Sequence, residues 1–319
     1  MHDTVKDNRK RNRFNFSQNL VLAVVLFLIS IIVTLAEPRF ASLENIQNIL
    51  QQTAVLGVVS LGMNLVMISA GLDLSVGRII GLSTCVITTL VSQQMPVGLA
   101  LLMGFLVALA CGTLNGLLIA KSGGFPFIIT LGTMTIYYGV ALVITNGDSH
   151  SLMGSFQYIG QGKIALVPVS AFIWAVVAVF THVLLKYAKF GRVLFVVGGN
   201  ERAAFFSGVK VTGKKIAVYA LNGAIMGVAS IVLVSRLGSA VPATGSGYEL
   251  RAIAAVVIGG ASLFGGRGSV AGCLLGTLLM GIISNALNAL NVSYFYQGLI
   301  LGVVIIGAAV VSTWGESKR

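Results

Sequence analysis

The chain has 319 residues, 56% of them hydrophobic and only 9% charged, and its mean hydropathy is +0.94. A soluble domain carries about 25% charged residues, so this composition excludes one. The net charge of +12 does not point to nucleic acid, because the basic residues cluster between apolar runs and no aromatic-interleaved basic surface accompanies them.

In chain order, Met1 to Arg13 is polar and basic, and an apolar run follows from Leu20 to Ala36. Thr34-Leu35-Ala36 loosely resembles a signal cleavage site, but the run is longer than a signal core and many more follow, so an uncleaved first span is expected. Apolar runs of about 20 residues, long enough for a bilayer core of about 30 Å, recur throughout. They predict ten spans, at 18–36, 47–70, 76–95, 97–119, 127–146, 167–186, 216–236, 250–265, 269–290 and 294–313. The eighth is short and glycine-rich. The expected fold is therefore an all-α polytopic membrane protein: a tail at 1–17, one transmembrane domain over 18–313 and a second tail at 314–319. The 39 glycines suit close helix packing in lipid, and Cys85, Cys111 and Cys273 read as small core residues. With both termini cytoplasmic, seventeen Lys and Arg fall on the inside and four on the outside, as basic residues are distributed in membrane proteins.

A faint repeat runs at an offset of 170 residues. Asn115, Leu117, Phe125, Leu131 and Gly132 correspond to Asn285, Leu287, Phe295, Leu301 and Gly302. Five spans per unit, an odd number, would turn the second unit upside down, and transporters often place their path between inverted repeats.

The stretch 187–215 is the densely charged interior segment, and the count of basic residues places it in the cytoplasm. Its basic residues alone would serve as a topology signal attracted to anionic lipid headgroups. Within it, Gly199, Asn200, Glu201, Arg202, Phe205, Phe206, Ser207 and Gly208 form a short helix-like piece ending in two aromatics. Exposed aromatics and Arg favour a docking surface for another protein.

Enzymatic chemistry finds little support. The three histidines, His2, His150 and His182, have no partner at metal or triad spacing, and there is no GxxxxGK[ST] phosphate loop. Asp73 and Glu249 fall at span ends, whereas the mid-span polar residues are neutral: Asn64, Asn115, Thr130, Asn222, Asn285 and Asn288. These amides and hydroxyls suit a path for a polyhydroxylated solute, or equally bonds between neighbouring helices. An ion relay normally needs acids or bases inside the spans, so the chain reads as a passive path that needs a motor elsewhere. Asp73, Ser75, Gly77 and Arg78 read as a helix-capping turn, or alternatively as a gate or hinge. Gly259, Gly260 and Arg267 occupy a similar glycine-rich turn, where the glycines alternatively serve close helix packing.

Three ordered motifs carry a resemblance: Gly62-Met63 leading into Ser69-Ala-Gly-Leu-Asp-Leu-Ser-Val-Gly77; Phe190-Gly-Arg192 with Val197-Gly-Gly-Asn-Glu201 and Ser207-Gly-Val209; and Ile253 through Gly268. From about Leu43 to Val311 the chain resembles the membrane-spanning permease subunits of bacterial ribose-type ABC sugar importers. The resemblance implies an inner-membrane subunit that pairs with a second permease copy or a close relative. It also implies cytoplasmic ATP-binding subunits and an extracytoplasmic solute-binding protein, with ATP and Mg held by the ATPase and no cofactor on this chain. Gly198 to Gly208 then matches the loop that meets the ATPase. Ala70 stands where the family usually has glycine, and Arg251 where acids often appear. The rival readings are an ion-coupled secondary transporter, an anchoring membrane protein, and an ABC permease for a nucleoside or an amino acid.

Overall fold

The computed structural model describes residues 3–152, 154–293, 295–300, 302–304 and 306–307, with side chains from residue 19 onward. The expected tail at 314–319 and the end of the expected tenth span lie outside the described residues. Helices dominate: α1 (Asp3–Ala36), α2 (Leu43–Ile68), α3 (Val76–Ser92), α4 (Val97–Ser122), α5 (Pro126–Thr145), α6 (Tyr158–Gln161), α7 (Val169–Lys186), α8 (Lys189–Gly199), α9 (Glu201–Phe206), α10 (Val211–Leu237), α11 (Tyr248–Ile258) and α12 (Val270–Ala289). Residues 295–300 are helical again. The strands are two residues each: β1 (His150–Ser151) pairs antiparallel with β4 (Ser239–Ala240), and β2 (Lys163–Ile164) with β3 (Val167–Pro168).

Local chemistry sets the helix ends. Ser42 Oγ accepts the Asn45 amide at the start of α2, and Ser269 Oγ accepts the Gly272 amide at the start of α12. Pro126 opens α5, where its missing N–H costs nothing. Gly123 and Gly238, both at positive φ, close α4 and α10.

Among the described residues seven helices are long and apolar enough to cross a membrane: α1 through its residues 19–36, α2, α4, α5, α7, α10 and α12. α2 is apolar all round and buried along most of its length, as a helix surrounded by others must be. Exposed Phe27, Val143, Val176 and Val179 on the outer helices present the apolar surface that lipid covers.

The expected span at 250–265 differs most. Its helix is α11, with 11 residues and a rise of about 16 Å, half a bilayer core. The cause lies just before it. Residues 241–247 run back along α3 with Pro242, Thr244 and Gly245 buried and Val241, Ala243 and Ser246 exposed: Gly81 packs against the carbonyls of Pro242 and Thr244, and Gly77 against that of Gly245. Their backbone groups bond locally, Val241 N–H to Thr244 Oγ1 at 2.9 Å and Ser246 N–H to the Ala243 carbonyl at 3.0 Å. Irregular backbone inside a bundle is stable only when satisfied in this way.

The repeat is visible in the packing. The 170-residue offset lays α2, α3 and α4 over α10, α11 and α12. α4 packs on α10 as α12 packs on α2, and α3 lies on α10 as α11 lies on α2. α2 runs antiparallel to α10, its counterpart at this offset. Near the start of α2, Gln51 bonds the Gly160 carbonyl, and the Gly160 amide bonds Ser235 Oγ near the end of α10. Beyond the other end of α2, the Leu72 carbonyl accepts from Tyr219, early in α10, at 3.1 Å. Between these points Gly62 faces Asn222 and Met226. That is the direction an inverted second unit would have. The α4–α10 contact needs its glycines, since a Cβ on Gly112 would sit 2.6 Å from the Gly223 Cα.

Candidate functional site

Three of the six polar residues singled out in the apolar spans, Asn115, Thr130 and Asn222, converge on the turn between α2 and α3. Asp73 is fully buried there. Its Oδ1 accepts the Ser75 hydroxyl at 2.6 Å, the Ser75 amide at 3.0 Å and Asn115 Nδ2 from α4 at 3.4 Å. Its Oδ2 accepts Asn222 Nδ2 from α10 at 2.9 Å. Asn115 also donates to Ser75 Oγ at 2.7 Å. Tyr137 of α5 donates to Asn115 Oδ1 at 2.8 Å, and Thr130 Oγ1 accepts the Leu74 amide at 3.2 Å. One carboxyl thus ties the turn to α4 and α10 directly and to α5 through Asn115, while Thr130 holds the turn to α5 separately through the Leu74 amide.

This refines one reading of Asp73 and corrects another. It falls at a span end but is not exposed there: it is buried inside the bundle, and so is Glu249. Nor does the turn cap α3: Ser75 makes no capping bond, and Asp73 holds the Ser75 amide in a local turn. Burying a carboxyl requires compensating donors, and here they come from Ser and Asn side chains plus one amide. Sequence reasoning missed Tyr137 and Tyr219. The available signal was a tyrosine inside an apolar span, whose hydroxyl must find a partner when buried.

The other polar residues lie elsewhere. Asn64 Nδ2 reaches the Ser269 carbonyl at 3.4 Å, while its Oδ1 is buried without a partner. Asn285 exchanges two bonds with Asn45, at 3.0 and 3.1 Å, and exposed Asn288 accepts from Gln297 at 2.8 Å. Among the described residues no three His, Cys, Asp or Glu side chains gather as metal ligands.

The gate or hinge candidates separate into packing and conformational roles. Gly77 lies against the Glu249 carboxyl, and the Arg78 guanidinium rests 4.3 Å from the centre of the Tyr138 ring. Gly259 packs directly on Gly272, the close-packing alternative, whereas Gly260 has a φ of 90° and makes the turn after α11. The Arg267 carbonyl closes that turn by accepting the Ser262 amide at 3.1 Å.

The charged stretch folds as two short helices, α8 and α9. Asn200 Oδ1 accepts the Ala203 amide at 2.9 Å and starts α9. Ala204 is buried against Val197 and Val211, which fixes α9 on the body of the protein. Phe205 and Phe206 then project outward, 65% and 84% exposed, edge to face with ring centres 5.7 Å apart. Glu201 pairs with Lys215 at 2.7 Å, not with its neighbour Arg202. Adjacent helical residues point apart, so the sequence pair Glu201-Arg202 could not close. Ser207 bonds back to the Ala203 carbonyl at 2.9 Å, and Gly208 turns the chain at a φ of 82°. Gly199, just before Asn200, joins α8 to a junction with the two glycine-rich turns. A Cβ on Gly198 would collide with the Ile68 carbonyl and lie 2.6 Å from the Gly266 nitrogen, and one on Gly266 would lie 2.9 Å from the Gly199 Cα.

The comparisons agree with this architecture. Residues 45–309 match the family described as branched-chain amino acid transport system / permease component. The ribose import permease protein RbsC of Bacillus subtilis (strain 168) is 41% identical over 313 residues, covering 97% of each chain. RbsC of Escherichia coli (strain K12) is 38% identical, also over 97% of each chain. The D-allose transport system permease protein AlsC of the same strain is 36% identical over 95% of this chain and 94% of its own. No solved structure matches the chain significantly. The apolar helices and these relatives make it a multi-pass protein of the bacterial inner membrane. It belongs to the family of branched-chain amino acid transport system permease components.

Proposed function

We propose that this chain is the permease subunit of an ATP-driven importer and forms the membrane path for a sugar, with ribose the first candidate. Supporting the sugar class are the relatives named for ribose, allose and galactose import. The observation that carries the mechanism is the junction at which α8 meets both glycine-rich turns. In this reading the chain crosses the membrane ten times with both termini cytoplasmic, and α3 and α11 are its short members. Cytoplasmic ATP-binding subunits, which hold the ATP and Mg, dock on α9 through Phe205 and Phe206. A second permease copy completes the path, and an extracytoplasmic binding protein delivers the solute.

Force applied at α9 reaches the bundle through backbone contacts. Gly198 and Gly199 touch Ile68 and Gly266, so α8 bears on the ends of α2 and of the α11–α12 turn together. A displacement there has little slack to absorb it, because the atoms in contact are main chain and not flexible side chains. ATP binding shifts the permease between two states only by the difference in contact energy it makes with each. The Asp73 cluster holds the α2–α3 turn to α4 and α10, which suits an element that moves as a block.

The test is uptake of labelled ribose by the complete complex in proteoliposomes, with wild-type chain and with the Phe205→Ala/Phe206→Ala variant. The expected result is ATP-dependent uptake lost in the variant while the permease stays inserted. Undiminished uptake in the variant would remove α9 from the coupling role. The buried Asp73 carboxyl gives the ion-coupled reading its one specific support, since carboxyls inside a bundle commonly relay ions. Uptake by the chain alone, driven by an ion gradient without ATPase subunits, would establish that reading instead.

A further inference from the structure

The first turns of α3 and α11 meet inside the bundle. Gly77 lies against the Glu249 carboxyl and the Gly245 carbonyl, so the positive ends of two helix dipoles converge on one point. α3 belongs to one repeat unit and α11 to the other, so this point sits between the parts that an inverted-repeat transporter moves against each other.

Two polar atoms on the first turns of α3 and α11 have no partner, one facing Gly77 and one turned toward α5. Glu249 is 7% exposed; its Oε1 accepts the Gly247 amide at 3.1 Å, while Oε2 is buried and unbonded. On the residue after Gly77, Arg78 Nη1 is also buried and unbonded, and the guanidinium lies over the Tyr138 ring. The two side chains do not pair, since the ion pair found among the described residues is Lys215–Glu201. Leaving a carboxyl oxygen and a guanidinium nitrogen unsatisfied in a bundle is costly unless something satisfies them for part of the cycle.

The chemistry of the pair names what does so. A carboxyl oxygen accepts from a hydroxyl, a guanidinium donates to one, and an aromatic face covers C–H surface. Together they suit a neutral polyhydroxylated solute, which offers donors and acceptors on one face and C–H bonds on another. An anion would be repelled by Glu249, and a cation by Arg78. We infer that Glu249 and Arg78 form a solute subsite that binds hydroxyl groups of the sugar when the first turns of α3 and α11 separate. This rests on the sugar-permease reading above. In the packed arrangement described, Gly77 fills the position the solute would take, so the subsite is closed.

The test uses the complete importer in proteoliposomes and four probes: ribose, 2-deoxyribose, 3-deoxyribose and 5-deoxyribose. The readout is solute moved per ATP hydrolysed, for wild type, E249Q, E249D and R78Q. Wild type and variants share one binding protein, so comparing their sugar preferences cancels differences in delivery. Wild type is expected to favour ribose over at least one deoxy sugar, and the Gln variants to shrink that preference at least fivefold while retaining stimulated ATP hydrolysis. A merely structural role lowers all four sugars alike, and that outcome overturns the inference. So does a wild type that moves all four equally, or the failure of all three variants to assemble, which would place the pair in the folded core. A wild type that hydrolyses ATP but moves no sugar refutes the underlying sugar reading, a result distinct from these.

Discussion

The amide of Gly266, in the turn after α11, donates to the carbonyl of Ile68, the last residue of α2, at 2.9 Å. This bond joins the end of α2 to the turn after α11, and α8 touches both there. Helix ends leave carbonyls unsatisfied, and here the end of α2 is completed by backbone from the other unit. The contact admits no side chain on Gly198, Gly265 or Gly266.

Gly198→Ala tests that junction. Its Cβ would strike the Ile68 carbonyl, a backbone atom that no rotamer change can move. The expected cost is about 1–3 kcal/mol from overpacking, read as a lower unfolding temperature in detergent. Solute uptake per ATP should fall further than stability does. An unchanged uptake-to-ATP ratio would argue that α8 transmits nothing at this point.

The Phe205→Ala/Phe206→Ala variant has a second, quantitative expectation. Both rings are largely exposed and contact each other, so the isolated permease should keep its stability within about 0.5 kcal/mol. Association with the ATPase subunits should weaken by about 2 kcal/mol or more, roughly 30-fold in Kd, because buried aromatics dominate interface energies. Co-purification and a fluorescence binding titration separate the two effects.

Ala70 offers a stabilising change. It adopts a φ of 58°, a left-handed conformation that costs a residue with a Cβ about 1–2 kcal/mol. Gly265 packs so closely that its own Cβ would lie 2.6 Å from that of Ala70. The usual glycine at this position therefore has a backbone reason. Ala70→Gly should raise stability by about 0.5–1 kcal/mol, after the entropy that glycine adds to the unfolded chain is subtracted. A lower unfolding temperature would show that the Ala70 methyl contributes packing that outweighs its strain.

Much of this was legible in the sequence for identifiable reasons. Apart from the start of α1 and the end of α11, helix ends followed the apolar runs within about five residues, because α4 and α10 stop at glycines that reach positive φ and α5 starts at Pro126. Asp73, Ser75, Asn115, Thr130 and Asn222 came together because polar groups inside apolar spans must satisfy one another. Glu249 was not legible. Residues 241–247, rich in Pro, Gly, Ser and Thr, have the composition of a surface loop, and only packing along α3 carries them inward. Asn285 aligns with Asn115 in the repeat but faces Asn45, so repeated sequence did not carry repeated chemistry.

The Asp73 cluster supports a graded series. All four bonds to its carboxyl come from donors: the Ser75 amide and hydroxyl, Asn115 and Asn222. Asp73→Ala strands those donors in the core and should cost about 3–5 kcal/mol, since each buried donor left unsatisfied costs about 1–3 kcal/mol. Asp73→Asn keeps the shape and one acceptor but points an NH2 group at a donor. Asn222 can answer by turning its amide over, because its Oδ1 has no partner to lose. The turned Nδ2 then faces Gly62 and Met226, where it finds no acceptor, so the substitution should still cost about 1–2 kcal/mol. In Asn222→Ala that response is unavailable. Adding Asp73→Asn to Asn222→Ala should therefore cost a different amount than in the wild-type background, with a coupling energy of at least about 0.5 kcal/mol in a double-mutant cycle. Thermal or denaturant unfolding of the four proteins in one detergent measures it, and strict additivity would show that Asp73 and Asn222 do not act as a pair.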